Sequence, residues 1–303
     1  MSEFGQQLAT LDVLANATQN HITLISIQSH IKLSEAEQQW AEKNLEMTQS
    51  RFKKGVAFKA EVFQAKATLK QTELKQQRLK NQQKHWQLKL ANLWGSSVAD
   101  FETVTGDLMH FNQQLSLDVL LMNLKKSPYI QRFTAETRLQ EITRQQIQAS
   151  SKSDFNWELG INRIQETQDT AIIAGFSMPL FKQQRNHGVL SANAAKTAQI
   201  NMQQQQQKLK LETQLRQAFQ NINATMSETK TLKNEVIPWL KKAHQETLKA
   251  YQLGRYSYQE LLTVQKQVFD AERQLIDTAA ATHRHETIIE QLSGQSLNNR
   301  NAP

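Results

Sequence analysis

Apolar residues recur three and four apart along most of this chain, and in one short stretch they alternate instead. The 3–4 spacing runs through Val62, Ala65, Leu69, Thr72, Gln76, Leu79, Gln83, Trp86, Leu90 and Leu93. It runs again through Leu261, Val264, Val268, Ala271, Leu275, Thr278, Thr282, His285, Ile289 and Leu292. A period near 3.5 sustained this long predicts helices packed on other helices through a narrow seam. The two series are one pattern written twice, 199 residues apart. At that offset Leu33, Trp40, Thr48, Gly55, Glu61, Glu73, Leu93 and Gly95 fall on Leu232, Trp239, Thr247, Gly254, Glu260, Glu272, Leu292 and Gly294. In each copy two helical arms flank a central Gly, and a second Gly closes the unit 40 residues on. A repeat of this kind sets the architecture. It predicts helices over roughly 6–50, 57–93, 185–250 and 257–292, paired as two antiparallel hairpins with tips at Gly55 and Gly254. Pro238 should bend the third helix, because it removes a backbone hydrogen bond. A short helix over Leu115 to Lys126 ends at Ser127-Pro128, and another follows over about 129–151.

The alternating stretch lies between the copies. Phe155, Trp157, Leu159 and Ile161 point one way; Asn156, Glu158, Gly160 and Asn162 point the other. After a polar loop, Ile172, Ala174, Phe176, Met178 and Leu180 share a face opposite Ala171, Gly175 and Ser177. This period of two predicts a β-hairpin over 155–164 and 170–180. Arms of that length suit a tilted outer-membrane strand of ~9–11 residues, apolar outside and small or polar inside. The alternative is a soluble hairpin lying on a helix, but two strands alone are barely stable. No run approaches the ~18 apolar residues of a spanning helix, so any membrane contact would go through strands.

Composition narrows the chemistry. Of 303 residues 39% are hydrophobic, with nine Gly and four Pro acting as punctuation between long Gln-, Lys-, Leu- and Ala-rich runs. The formal charge of +8 is spread over the helices, at Lys70, Lys75, Lys80, Lys208, Lys210, Lys241 and Lys242 for example. That reads as a solvated helix surface, not a nucleic-acid patch. There is no Cys, which excludes disulfides and thiol chemistry. Of the eight His, His283 and His285 are two apart on a helix and cannot share an ion, so no metal site is expected. Glu286 and Glu290 read as solvated helix charge. No phosphate loop, Ser-His-Asp set or HExxH is present, so neither an enzyme nor a cofactor is expected. At the second tip Ser257 and Glu260 form a capping box for the final helix. Phe58, in the equivalent place of the first copy, cannot cap.

These features resemble the TolC-like outer-membrane efflux factors. Pro238, then Tyr251-Gln-Leu-Gly254-Arg-Tyr-Ser257 and Glu260-Leu-Leu262, is similar to the family's periplasmic tip pattern. Gly55 with Glu61 repeats it more loosely, with Phe52 in the place of Tyr251. Ser177-Met-Pro-Leu-Phe181, then Arg185-Asn-His-Gly188, resembles the signature of the cation-efflux branch, with His187 where Gln is usual. The resemblance implies a fold that is mainly α with a small β part: long antiparallel helical hairpins forming a coiled-coil barrel, plus a transmembrane-type β-hairpin.

It further implies a homotrimer in the outer membrane and periplasm of a Gram-negative bacterium. Such a trimer docks on a periplasmic adaptor protein, which links it to an inner-membrane pump. Substrate passes through without chemical change, and heavy-metal cations are one class of cargo. The docking tips would be Gly55, Val56, Ala57, Gly254, Arg255, Tyr256, Ser257 and Glu260. The lipid-facing positions would be Phe155, Trp157, Leu159, Ile161 and Phe176. A complete member of the family has a signal peptide and four strands per chain. This chain reads as beginning partway through its first repeat, without either. Its expected divisions are an incomplete first hairpin at 1–95, a connector at 96–128 and a second repeat at 129–294. That second repeat holds the β-hairpin 155–180 and the helical hairpin 185–294, and a disordered tail at 295–303 follows. The competing reading is a soluble coiled-coil scaffold or tether.

Overall fold

A computed structural model of the protein describes residues 3–111, 116–150, 156–164, 169–178 and 187–294. Phe155, Leu180, the Phe181–Asn186 part of the signature and the tail after Gly294 lie outside the described residues. Among the described residues seven α-helices follow in chain order: α1 (Glu3–Lys53), α2 (Lys59–Ala91), α3 (Leu117–Lys125), α4 (Pro128–Ser150), α5 (His187–Thr231), α6 (Ile237–Gln252) and α7 (Tyr258–Ser293). Two strands, β1 (Asn156–Ile164) and β2 (Asp169–Ser177), pair antiparallel. No described helix is long and apolar enough to cross a membrane.

The chain divides into two units, one of residues 1–124 with 212–303 and one of residues 125–211. In the first, α1 pairs with α2, α6 pairs with α7, and α1 packs against α7. The seam of α7 is buried at Leu261, Val268, Ala271, Thr278, Thr282, Ile289 and Leu292, and its flanks bury Phe269, Ile276, Ala279 and Ala280 as well. The seam of α2 is buried only at Val62, Ala65 and Leu90. One pattern therefore serves a central helix in one copy and a peripheral one in the other. The connector closes on this unit through Leu108, which packs with Ile22, Ile25, Ile276 and Ala279. Gln28 holds it by donating to Val104 O (2.9 Å) and accepting from Val104 N–H (2.8 Å).

One sequence expectation gains detail here and one is corrected. Pro238 does not sit in a continuous α-helix. The five residues Leu232–Val236 before it wind as a π-turn, and Ile237 N–H reaches back to Leu232 O. The wider turn accommodates a ring that lacks a donor and crowds the preceding carbonyls. Nor is Glu286 solvated: it is 6% exposed and faces His283.

In the second unit Ser127 O accepts from Ile130 and Gln131 N–H, and Pro128 takes the first helical position of α4, where a missing N–H costs nothing. Asn193 Nδ2 donates to Gln140 Oε1 at 3.1 Å, joining α5 to α4. The hairpin register sets Trp157 opposite Phe176, Leu159 opposite Ala174 and Ile161 opposite Ile172. Opposite faces therefore carry apolar and polar sets, as alternation requires. Ile173 departs from this on the polar face, across from Gly160, and the pair Arg163 and Thr170 departs from it at the end of the apolar one.

Candidate docking tips and strand face

Both tips are built on the same backbone device. Gly55 and Gly254 adopt φ of 73° and 74°, the left-handed region that favours Gly. At the first, Gly55 N–H donates to Phe52 O (2.9 Å) and Val56 N–H to Arg51 O (3.0 Å). At the second, Gly254 N–H donates to Tyr251 O (3.0 Å) and Arg255 N–H to Ala250 O (2.9 Å). This is the Schellman ending, reproduced bond for bond at the repeat offset. A Cβ on either Gly would meet no atom within 4 Å, so substitution there strains the backbone without a clash.

The helix starts differ. Ser257 Oγ accepts from Glu260 N–H at 3.3 Å, and Glu260 Oε2 accepts from Ser257 N–H at 2.6 Å and from its hydroxyl at 2.8 Å. The backbone N–H and hydroxyl of Ser257 hold the Glu260 carboxyl below its usual range. At the first tip Phe58 offers no side-chain acceptor. Glu61 Oε1 still takes Phe58 N–H, at a longer 3.4 Å, and the Phe58 ring is left 80% exposed. Val56, Arg255 and Tyr256 are exposed as the sequence implied, whereas Ala57 is half-buried.

The two tips are tied to each other through Tyr251 and Glu61, both in the tip pattern, and through Arg51, which sequence reasoning passed over. Tyr251 is 1% exposed, and its hydroxyl donates to Glu61 Oε2 at 2.9 Å. The Arg51 guanidinium lies 4.5 Å from the Tyr251 ring centroid and donates to Gln252 O (3.1 Å) and Val56 O (3.4 Å), so it touches both turns. Ala65, Tyr258 and Leu261 complete this core, with the Tyr251 and Tyr258 rings 5.9 Å apart. Burial, then the bond to Glu61, pushes the Tyr251 phenol well above its ordinary range. Burial and the Glu61 charge push Tyr258 up to about 12. Both phenols therefore stay neutral at physiological pH. The available signal was a mismatch in the repeat: Tyr251 and Arg51 stand opposite Phe52 and Ala250.

Farther along the helices, the repeat holds the connector twice. Gln83 and Gln87 of α2 donate to Glu102 O at 3.1 and 2.6 Å. On α7, His283 contacts Glu286 Oε2 at 2.9 Å and Leu108 O at 3.2 Å. Both partners can accept, and the doubly protonated ring can donate to both at once. Burial opposes that charge, but Glu286, the Leu108 carbonyl and Asp107 outweigh it and raise the His283 pKa. Among the described residues no three of His, Asp or Glu are placed to hold a metal ion.

On the hairpin, Trp157, Leu159, Ile161 and Phe176 are all exposed, from 67% at Leu159 to 78% at Ile161. On the other face Gly175 leaves room beside Glu158, whose Cβ would lie 3.6 Å from an added methyl.

No protein-family model matches the chain. The cobalt-zinc-cadmium resistance protein CzcC of Cupriavidus metallidurans is 22% identical over 293 residues, covering 94% of this chain and 68% of its own length. The outer membrane protein VceC of Vibrio cholerae superposes with a TM-score of 0.79 at 16% identity, over 98% of this chain and 73% of VceC. The outer-membrane channel OprN gives a TM-score of 0.83 at 16% identity, over 97% of this chain and 68% of its own. The fold is that of the TolC-like outer-membrane channels, as the tip and strand motifs implied.

Proposed function

We propose that this chain, folded as a TolC-like outer-membrane channel, forms the export conduit of a tripartite efflux system and carries divalent metal cations. The observation that supports it best is the conjunction of two Gly-turned helical hairpins with a β-hairpin whose apolar face is open along its length. The likeness to a cobalt-zinc-cadmium resistance protein directs the choice of cargo. In this reading the chain works as a homotrimer in the outer membrane and periplasm. Strands from several copies close into a barrel, which removes the edges that hydrocarbon cannot satisfy. Trp157, Leu159, Ile161 and Phe176 face lipid. The tips at Gly55 and Gly254 meet a periplasmic adaptor protein, which joins the conduit to an inner-membrane pump. The protein moves its cargo without chemistry, so no residue is assigned a catalytic role.

The test is zinc, cobalt and cadmium resistance in a host that lacks its own channel and expresses this chain. Resistance is expected from the unaltered chain, and its loss from Gly254→Trp with the trimer still recovered from the outer membrane. Normal resistance with Gly254→Trp would remove the tip from the mechanism, and loss of the trimer would make Gly254 merely structural. A coiled-coil scaffold, the competing reading, would instead purify without detergent as a defined oligomer.

A further inference from the structure

The tips carry more positive charge than their own carboxylates answer. Lys53, Lys54, Lys59 and Arg255 are exposed, and none has a carboxylate partner among the described residues. Three nearby carboxylates are committed elsewhere: Glu61 to Tyr251 and Phe58 N–H, Glu260 to Ser257, and Glu246 to Lys249 at 2.7 Å. Fold stability explains only part of this charge. Lys53 ends α1, where a cation complements the helix dipole. Lys59 opens α2, where a cation opposes it, and Arg255 lies beyond the end of α6. At the position equivalent to Lys59 the second copy places the buried Tyr258. Interleaved with the cations are exposed apolar groups: Val56, Phe58, Leu253 and Tyr256.

We infer that the tip pair receives a protein partner whose docking surface is at once acidic and apolar, its carboxylates answering Lys53, Lys54, Lys59 and Arg255. The inference rests on the conduit reading and specifies the chemistry of the adaptor surface that reading requires. Two observations favour protein over a lipid surface. The face this chain offers to hydrocarbon, Trp157 to Ile161, is apolar at each successive outward position. At the tips, by contrast, cation and apolar group alternate within one or two residues. The turns are also fixed in shape by their Schellman bonds, by Arg51 and by Tyr251, and a preformed surface suits a complementary protein. Complementary charge sets partner choice and encounter rate.

The test is charge reversal in the metal-resistance host. Lys53→Glu, Lys54→Glu, Lys59→Glu and Arg255→Glu together are expected to reduce zinc resistance to that of the host without the channel, with the chain still recovered from the outer membrane. The matching Gln set should lose resistance only in part. Selection for restored resistance from the reversed chain should return Asp→Lys or Glu→Lys substitutions in a second protein. Full resistance from the reversed chain overturns the inference. If that chain is not recovered, the Gln set decides: reduced resistance supports the inference and full resistance overturns it. Cosedimentation of the unaltered chain, but not the reversed one, with vesicles of equal phosphatidylethanolamine and phosphatidylglycerol would assign the cations to lipid and also overturn it. No resistance from the unaltered chain overturns the conduit reading, and this inference with it.

Discussion

The two helical hairpins turn on Gly55 and Gly254 with the same dihedral angle and the same pair of hydrogen bonds, yet they are held in place by different means. The second tip buries Tyr251, Tyr258 and Leu261 and caps its outgoing helix with Ser257. The first exposes Phe52 and Phe58 and starts its outgoing helix without a side-chain cap. Trp40 is stacked on His244 at 4.3 Å, while its counterpart Trp239 lies open with Lys242 over its ring at 4.4 Å. The repeat preserves backbone punctuation first. Depth of packing then follows each helix's neighbours: α7 packs on α1 and α6, and α2 chiefly on α1.

The two hairpins should differ most at paired core positions. Leu261→Ala empties a fully buried site and should cost ~2–5 kcal/mol by chemical denaturation. Val62→Ala, its counterpart on the less covered helix, should cost less than half as much. Equal costs would mean that the hairpins are packed alike. Next comes the tie between tips. Tyr251→Phe leaves Glu61 without its buried donor and should cost about 1–3 kcal/mol, whereas Phe52→Tyr at the exposed counterpart should be near neutral.

Helix caps give a smaller contrast. Ser257→Ala should cost about 1 kcal/mol, and Phe58→Ser should recover up to about that amount at the first tip. A null effect of Phe58→Ser would show that Glu61 and Phe58 N–H already suffice.

Much of this was legible in the sequence. The 199-residue repeat located both turns, and the alternation around Trp157 located the strand pairing, because periodicity records which face is covered. Contacts between repeats were not legible. Tyr251 and Glu61 are 190 residues apart, and nothing local to either marks the other. Glu286 looked solvated because the connector residue Leu108, which lines the same cavity, is remote from it in sequence, although His283 stands one turn away. Lys75 likewise looked like surface charge, yet it pairs at 2.7 Å with the buried Glu37, which Arg273 also contacts. The π-turn before Pro238 was hidden because proline announces a disturbed helix without saying how the chain absorbs it.

The weakest expected effect distinguishes the two connector clamps by pH. The His283 pKa is raised in the folded state, so the contribution of its charged form is fully present below about 6.5 and is lost as pH rises through the folded value. Asp107 and Glu286 favour the charge from the connector and from α7. His110 and His21, from the connector and α1, line the same cavity, as does Glu290. Amide exchange around Leu108, corrected for intrinsic rate, should therefore accelerate above neutrality. Around Glu102, held by neutral Gln83 and Gln87, it should not. Parallel behaviour at both places would remove His283 from the clamp.

Thiol labelling can show whether one face of the β-hairpin is a membrane wall. The chain has no Cys, so a single introduced thiol is a clean reporter. Leu159→Cys and Glu158→Cys would each be treated with a membrane-impermeant thiol reagent in intact outer membranes. Protection at Leu159 with labelling at Glu158 is the result the conduit reading predicts; equal labelling at the two neighbours would contradict it.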